Sequence, residues 1–250
     1  MKSARFISSG VVCSGVVEGQ VLVDSKGNEH RMDEVRFLPP VEPSKIIGLV
    51  LNYSDHADEL GLSPGDAPVV FIKPQNTLIG HLEDIIYPEG VEFLHYEGEL
   101  AVVIGKRARK VKSAEAMDYV GGYTVANDVT ARDFITNTFR PPVKAKGFDT
   151  FCPLGPYLAD AGEVDISRGV EIRTELNGRT VQSSNTGMFI HDIPSVIEYL
   201  SAFMTLNQGD VILTGTPRGI SRLTPGDRID VTVSGIGTLT NMVAPEHTHI

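Results

Sequence analysis

Only two cysteines, Cys13 and Cys152, occur in the 250 residues. That is too few for a disulfide framework, and neither a Cys-x-x-Cys pair nor a Cys/His zinc spacing is present. This usage fits a reduced compartment, and a cytoplasmic protein is expected. Long apolar runs are missing as well: none approaches the roughly 18–20 residues that cross a bilayer. Met1-Lys2-Ser3-Ala4-Arg5 opens with charge, but Ser8, Ser9 and Gly10 interrupt the apolar stretch behind it, so no signal-peptide core forms. Basic charge is in deficit, with 22 Lys and Arg against 32 Asp and Glu for a net charge of −10. No global field therefore draws a polyanion. Neither nucleic acid nor a membrane is an expected partner. Nucleotide signatures are also absent: no Gly-x-Gly-x-x-Gly stands between a strand and a helix, and there is no Walker loop.

What is present suits a globular protein. Hydrophobic residues make up 41% and charged ones 22%, enough apolar material for one large domain with a small appendage. Residues 1–43 alternate β-rich pieces with turns, among them the strand-like 15–23 and the turn signal Asp24-Ser25-Lys26-Gly27-Asn28. Pro39-Pro40 and Pro43 mark a linker, so this stretch is expected to be a small N-terminal β subdomain, with residues 44–250 as the main domain. The main domain is strand-heavy, with candidates at 46–52, 68–73, 99–104, 121–126, 170–176, 211–213 and 229–233. Helical patterns are fewer, at 114–120 and 193–204. Strands do not alternate with long helices, so an α+β, mostly β fold follows. His247 and His249 lie in a tail that reads as a frayed end rather than a metal site.

The most informative segment is His95-Tyr96-Glu97-Gly98-Glu99, running straight into the apolar Leu100–Ile104. Residues two apart in a strand share a face, which sets Glu97 and Glu99 side by side with Cα atoms roughly 7 Å apart. Two carboxylates at the mouth of a buried strand repel, and desolvation penalises both. Protonation, a basic partner or a divalent cation must neutralise them. Asp128 ends a second strand-like run, Gly122–Asn127. An all-oxygen set of this kind suits Mg²⁺, Mn²⁺ or Ca²⁺, and Mg²⁺ best where water or substrate completes the shell. Glu-x-Glu alone also describes a solvated strand edge, and His95 on the same face leaves open a His-Glu-Glu site for iron or manganese.

Longer stretches then carry a resemblance. These are Tyr96 to Gly105, Gly121 to Asp133, Lys146 to Pro156 and Leu213 to Gly219, with Asn52 to Glu59 and Phe71-Ile72-Lys73-Pro74 upstream. Together, over about residues 45 to 243, they resemble the fumarylacetoacetate hydrolase superfamily. The wording His95-Tyr96-Glu97-Gly98-Glu99-Leu100 looks most like its homoprotocatechuate-pathway group. Members of that group isomerise 2-hydroxyhepta-2,4-diene-1,7-dioate and decarboxylate 5-carboxymethyl-2-oxo-hex-3-ene-1,7-dioate. The resemblance implies a mixed β-roll, homodimers as the usual assembly, and Glu97, Glu99 and Asp128 as ligands of Mg²⁺ or Mn²⁺. Many members carry Gln three residues after the Arg of the Ala-Arg-Asp motif; here Ile135 stands there.

The expected chemistry is a metal-stabilised enolate of a 2-oxo acid, with the metal as Lewis acid. Lys146 would add positive charge near the developing oxyanion; without the resemblance it reads as a surface lysine. Arg132 could grip a substrate carboxylate bidentately, or bridge to Asp133 or Asp128. His56 and Glu59 are three apart behind Ser54, a good helix cap, and so share a face. Glu59 would fix the imidazole tautomer and make His56 the general base. Gly61 and Ser63-Pro64-Gly65 break that helix as a lid requires. Thr216, in the turn Thr214-Gly215-Thr216-Pro217, is the candidate for a carboxylate contact, beside the plainer reading of a turn. Lys73 and Asn76 are further substrate-side candidates, and Arg140 and Lys144 could meet the far carboxylate of a dioate. The leading reading is an isomerase/decarboxylase of a 2-hydroxy-dienoate dicarboxylic acid. Acylpyruvate hydrolase and oxaloacetate decarboxylase activities are alternatives, and a catalytically silent homologue would not need all these groups intact.

Overall fold

The structure is a computed structural model that describes residues 1–63, 65–135 and 141–246. Gly98–Ile104 forms a strand buried along its whole length, as an apolar run must when both faces are covered. It pairs antiparallel with Val120–Asn127 on one side and Val211–Leu213 on the other. Beyond Val211–Leu213 lie Ile46–Val50, in parallel, and the edge strand Val69–Lys73. Beyond Val120–Asn127 lies Cys152–Asp160, and this strand receives the N-terminal Lys2–Ser8. The N-terminal segment thus has its own small core of Ala4, Phe6, Leu22 and Phe37, and shares one sheet with the rest.

A second sheet runs Arg179–Asn185, Glu171–Leu176, Arg228–Val233, Gly237–Pro245, Ile85–Tyr87. Leu100, Val102 and Val125 of the first sheet and Ile172, Val231 and Leu239 of the second belong to one buried cluster. On the opposite face of the first sheet, Ala101, Val103, Ala126, Leu154 and Leu213 form another. The mostly β, mixed-roll expectation holds, and the seven candidate strands are found with ends within two residues.

Three strands carry no clear pattern in the sequence. Cys152–Asp160 contains Pro153 and Pro156, the latter after a cis peptide bond, and proline argues against a central strand. Arg179–Asn185 is almost entirely polar, and Gly237–Pro245 begins and ends in breakers.

Helix Ile193–Phe203 is capped by Asp192, whose side chain accepts the Ser195 N–H, and buries Ile193, Val196, Ile197 and Leu200 at helical spacing. The helix expected over 114–120 is instead a 3₁₀ segment, Ser113–Tyr119. Its one buried side chain is Ala116, too narrow a stripe to hold α geometry. Ser54 is not the cap of helix Ser54–Leu60. Tyr53 holds that position without a side-chain bond, while the Ser54 hydroxyl donates to the Met188 carbonyl at 3.2 Å. Gly61, at φ 64°, ends the helix as expected. Pro64, His247 and His249 lie outside the described residues. No helix among the described residues is long and apolar enough to cross a membrane.

Candidate metal centre and active site

Strand register builds the acidic cluster. Gly98 pairs with Asn127, so Glu97 and Asp128, just outside the ladder, face each other. The Asp128 N–H donates to the Glu97 carbonyl at 2.8 Å, and the Glu97 N–H donates to Asn127 Oδ1 at 3.0 Å. Glu99 lies two residues on from Glu97, on the same face. One oxygen from each of Glu97, Glu99 and Asp128 falls within 4.8 Å of the others, and all three residues are buried. His95 is not part of that group. It pairs with Thr130 in a short ladder, and its Nδ1 is buried without a partner among the described residues.

Position 98 admits no side chain, since a Cβ there would stand 2.2 Å from Thr174 Oγ1. Gly98→Ala is therefore expected to destabilise the fold by about 1–3 kcal/mol, as overpacking does. Differential scanning calorimetry should show a Tm lower by several degrees.

Cations occupy two of the three acids. Lys146 Nζ donates to Glu97 Oε2 at 2.9 Å, Asp128 Oδ2 at 2.5 Å and Thr130 Oγ1 at 2.9 Å. Lys73 Nζ takes the other Asp128 oxygen at 2.5 Å, and Arg132 takes the other Glu97 oxygen. Burial pushes the Glu97 carboxyl up, but Lys146 and Arg132 override it and hold it down to about 2. Burial likewise disfavours the charged Lys146, and Asp128 and Glu97 reverse that, leaving its pKa raised.

Glu99 differs. It accepts the Gly215 N–H at 2.7 Å and forms no ion pair among the described residues. Burial first, then Asp128 and Glu97, push its carboxyl well above the usual range. The Tyr53 hydroxyl, fully buried with no hydrogen-bond partner among the described residues, lies in the field of Glu99. An all-oxygen donor set, deeply buried and with one acid lacking a counter-charge, fits a hard divalent cation.

Beside the acids stands the expected dyad. His56 Nδ1 and Glu59 Oε2 are 2.9 Å apart, and His56 is buried. Glu59 also accepts the Gly219 N–H, at 3.2 and 3.3 Å to its two oxygens. Gly219 is held in turn through its carbonyl, which accepts the Tyr96 hydroxyl at 2.8 Å. A pinned carboxylate on Nδ1 leaves Nε2 as the nitrogen free to exchange a proton.

Several expected contacts fall elsewhere. Lys73 is 1% exposed, and its ammonium donates to Asp128 and to the Val129 carbonyl. Asn76 donates to the Gly147 carbonyl at 3.2 Å and to Asp149 at 2.5 Å, which braces the segment after Lys146. Lys146 itself ends one helical turn, Val143–Lys146. Thr216 donates to the Gly98 carbonyl at 3.0 Å and accepts from Gln182 at 2.8 Å, so its hydroxyl is consumed internally. Arg132 pairs with Glu97, whereas Asp133 accepts the N–H groups of Glu92 and Phe93. Lys144 Nζ lies 3.9 Å from the Phe134 ring centre, and Ile135 is exposed. Arg140 lies outside the described residues. What Gln182 and Gly219 bind has no signal in the sequence, although Gly219 closes one of the stretches that carry the resemblance. One sits in a polar strand without pattern, and the other is one glycine among 25.

The mixed β-roll carries a buried triad of acids that could hold a metal ion, and comparison with known proteins gives its family. Residues 45–244 match the fumarylacetoacetate (FAA) hydrolase C-terminal family, and the chain belongs to that family. It is 46% identical over 201 residues to the 4-hydroxyphenylacetate degradation bifunctional isomerase/decarboxylase of Salmonella dublin. The match covers 80% of this chain but 47% of that protein, so the chain spans about half the length of that relative. Among solved structures, the 5-carboxymethyl-2-hydroxymuconate delta-isomerase of Mycobacterium smegmatis superposes with a TM-score of 0.90 at 41% identity. That alignment covers 99% of this chain and 100% of that one. A fumarylacetoacetate hydrolase from Exiguobacterium antarcticum gives a TM-score of 0.88 at 32% identity, over 98% and 100% of the two chains.

Proposed function

We propose that the chain is a divalent-metal-dependent isomerase/decarboxylase acting on a 2-oxo or 2-hydroxy-dienoate dicarboxylic acid of aromatic catabolism. The observation that carries this reading is the convergence of Glu97, Glu99 and Asp128 with one acid left uncompensated. The similarity to isomerases and to an isomerase/decarboxylase supports the substrate class.

Bound Mg²⁺ or Mn²⁺ would be held by Glu97, Glu99 and Asp128 and would polarise the 2-oxo group of the substrate. The other roles belong to side chains. Lys146 keeps a positive charge beside Glu97 and Asp128, where an oxyanion would gain from it. Arg132 retains enough exposure to exchange Glu97 for a substrate carboxylate. His56 moves the proton at Nε2, with its tautomer set by Glu59. Helix Ser54–Leu60 serves as the lid, docked where Glu59 meets Gly219. A homodimeric, cytoplasmic enzyme completes the reading.

A second reading, hydrolysis of an acylpyruvate, is favoured by the likeness to the Exiguobacterium hydrolase; oxaloacetate decarboxylation would use the same groups. A panel of 2-oxo acids assayed with Mg²⁺ and with EDTA decides. Turnover of seven-carbon dioates that chelation abolishes is expected. Rapid loss of the acetylpyruvate enol absorbance would select the hydrolase, and full activity in EDTA would reject the metal centre.

A further inference from the structure

Gln182 is 1% exposed and among the described residues hydrogen-bonds to none of the three acids, yet its amide joins the two segments that shape the site. Its Oε1 accepts the Gly98 N–H at 3.1 Å and the Thr174 hydroxyl at 2.8 Å. Its Nε2 donates to Thr216 Oγ1 and to the Pro217 carbonyl, both at 2.8 Å. An amide has two donor hydrogens and two acceptor lone pairs, so this group is saturated. The Thr216 hydroxyl then donates to the Gly98 carbonyl at 3.0 Å. Both backbone polar groups of Gly98, the residue between Glu97 and Glu99, are therefore held by one network.

The far end of the network is equally placed. Pro217 lies midway between Gly215, whose N–H orients Glu99, and Gly219, whose N–H orients Glu59. Gly219 sits at φ 98° against the same polar strand, and a Cβ there would meet the Val181 carbonyl at 2.1 Å. Thr214 and Thr216 tie the same segments directly, through the Leu100 and Gly98 carbonyls, and the Gln182 amide adds the link that holds both the Gly98 N–H and the Pro217 carbonyl. A rigid span of this kind is what presents carboxylates to a cation at fixed separation.

We infer that Gln182 is a positioning residue that fixes Glu97 and Glu99 relative to the 215–219 segment, and so sets the cation affinity of the site. The inference rests on the metal-centre reading above. An apolar replacement strands the Gly98 N–H and the Pro217 carbonyl, whose search for partners shifts both segments.

The test is calorimetric titration of the full chain with MnCl₂, for wild type, Gln182→Met and a control, Asn241→Leu. Asn241 is an equally buried amide that binds the Gly80 and Glu83 carbonyls, away from the acids. Thermal unfolding of each variant supplies its Tm. Gln182→Met is expected to weaken Mn²⁺ about 10–100-fold, the range for losing an outer partner of a metal site, while Asn241→Leu leaves affinity unchanged despite a lower Tm. Gln182→Glu, which keeps the acceptor toward Gly98 and loses the donors toward Thr216 and Pro217, makes the same comparison if Gln182→Met fails to fold. Wild-type affinity in the Gln182 variants would overturn the inference alone, as would an equal loss in Asn241→Leu. A wild type that binds no Mn²⁺ would overturn the metal reading and this inference with it.

Discussion

Glu99→Gln is expected to make the metal-free protein more heat-stable while removing its affinity for divalent cations. Glu99 is the acid of the triad that forms no ion pair among the described residues; burial, Asp128 and Glu97 disfavour its charge, and Lys146 offsets them only in part. A neutral amide of the same shape relieves that repulsion and can still accept the Gly215 N–H. The same change deletes one of three anionic ligands, so Mn²⁺ affinity should fall by more than the roughly 10–100-fold seen on losing an outer partner. Turnover of a 2-oxo acid should fall with it.

A pH series separates the two acids. A carboxyl whose folded pKa is raised loses stability as pH climbs above its ordinary value, because ionisation then favours the unfolded chain. For Glu99 that loss begins near 4.5 and grows with pH in EDTA. Glu97 has the opposite sign. Held down to about 2, it contributes stability above 4.5 that is lost as pH falls toward 2. Glu99→Gln should flatten the first limb and keep the second. A variant less stable than wild type in EDTA at neutral pH, or one that still binds Mn²⁺ normally, would show that Glu99 is not the uncompensated ligand.

The acids and the dyad were legible because their geometry is local. Period two puts Glu97 and Glu99 on one face, and spacing three puts His56 beside Glu59, whatever the rest of the chain does. Asp128 was legible because a strand delivered it, and the Gly98–Asn127 pairing set it opposite Glu97. The contacts that were not legible are long-range. Lys73 meets Asp128 across 55 positions and Thr216 meets Gly98 across 118. No pattern near either residue reveals that its polar group is already spent. Gln182 is the clearest case: an amide in a polar strand, meaningful only once Gly98 and Pro217 close around it. Cys152–Asp160 was hidden for a local reason, since its prolines contradict the central place that the sheet gives it.

Lys146→Met should separate the stabilising from the catalytic role of that cation. The substitution leaves Glu97 Oε2 and Asp128 Oδ2 buried without the ammonium that now bridges them. Breaking a buried pair from one side costs about 3–5 kcal/mol. With roughly 2–4 °C per kcal/mol for a chain of this size, Tm in EDTA should drop by about 6–20 °C. Mg²⁺ should reverse much of this, because an ion held by the same two acids substitutes for the lost charge. At a concentration of about 100 times its Kd, such an ion stabilises by about 2.7 kcal/mol. Since Lys146 and the cation draw on the same oxygens, the variant should bind Mg²⁺ at least as tightly as wild type and gain more Tm from it. Turnover should nonetheless fall by about 10²–10³, the effect of losing one preorganised charge at a developing oxyanion. Unchanged turnover would confine Lys146 to holding the acids together, whereas weaker Mg²⁺ binding would make the lysine part of the cation's support rather than its stand-in.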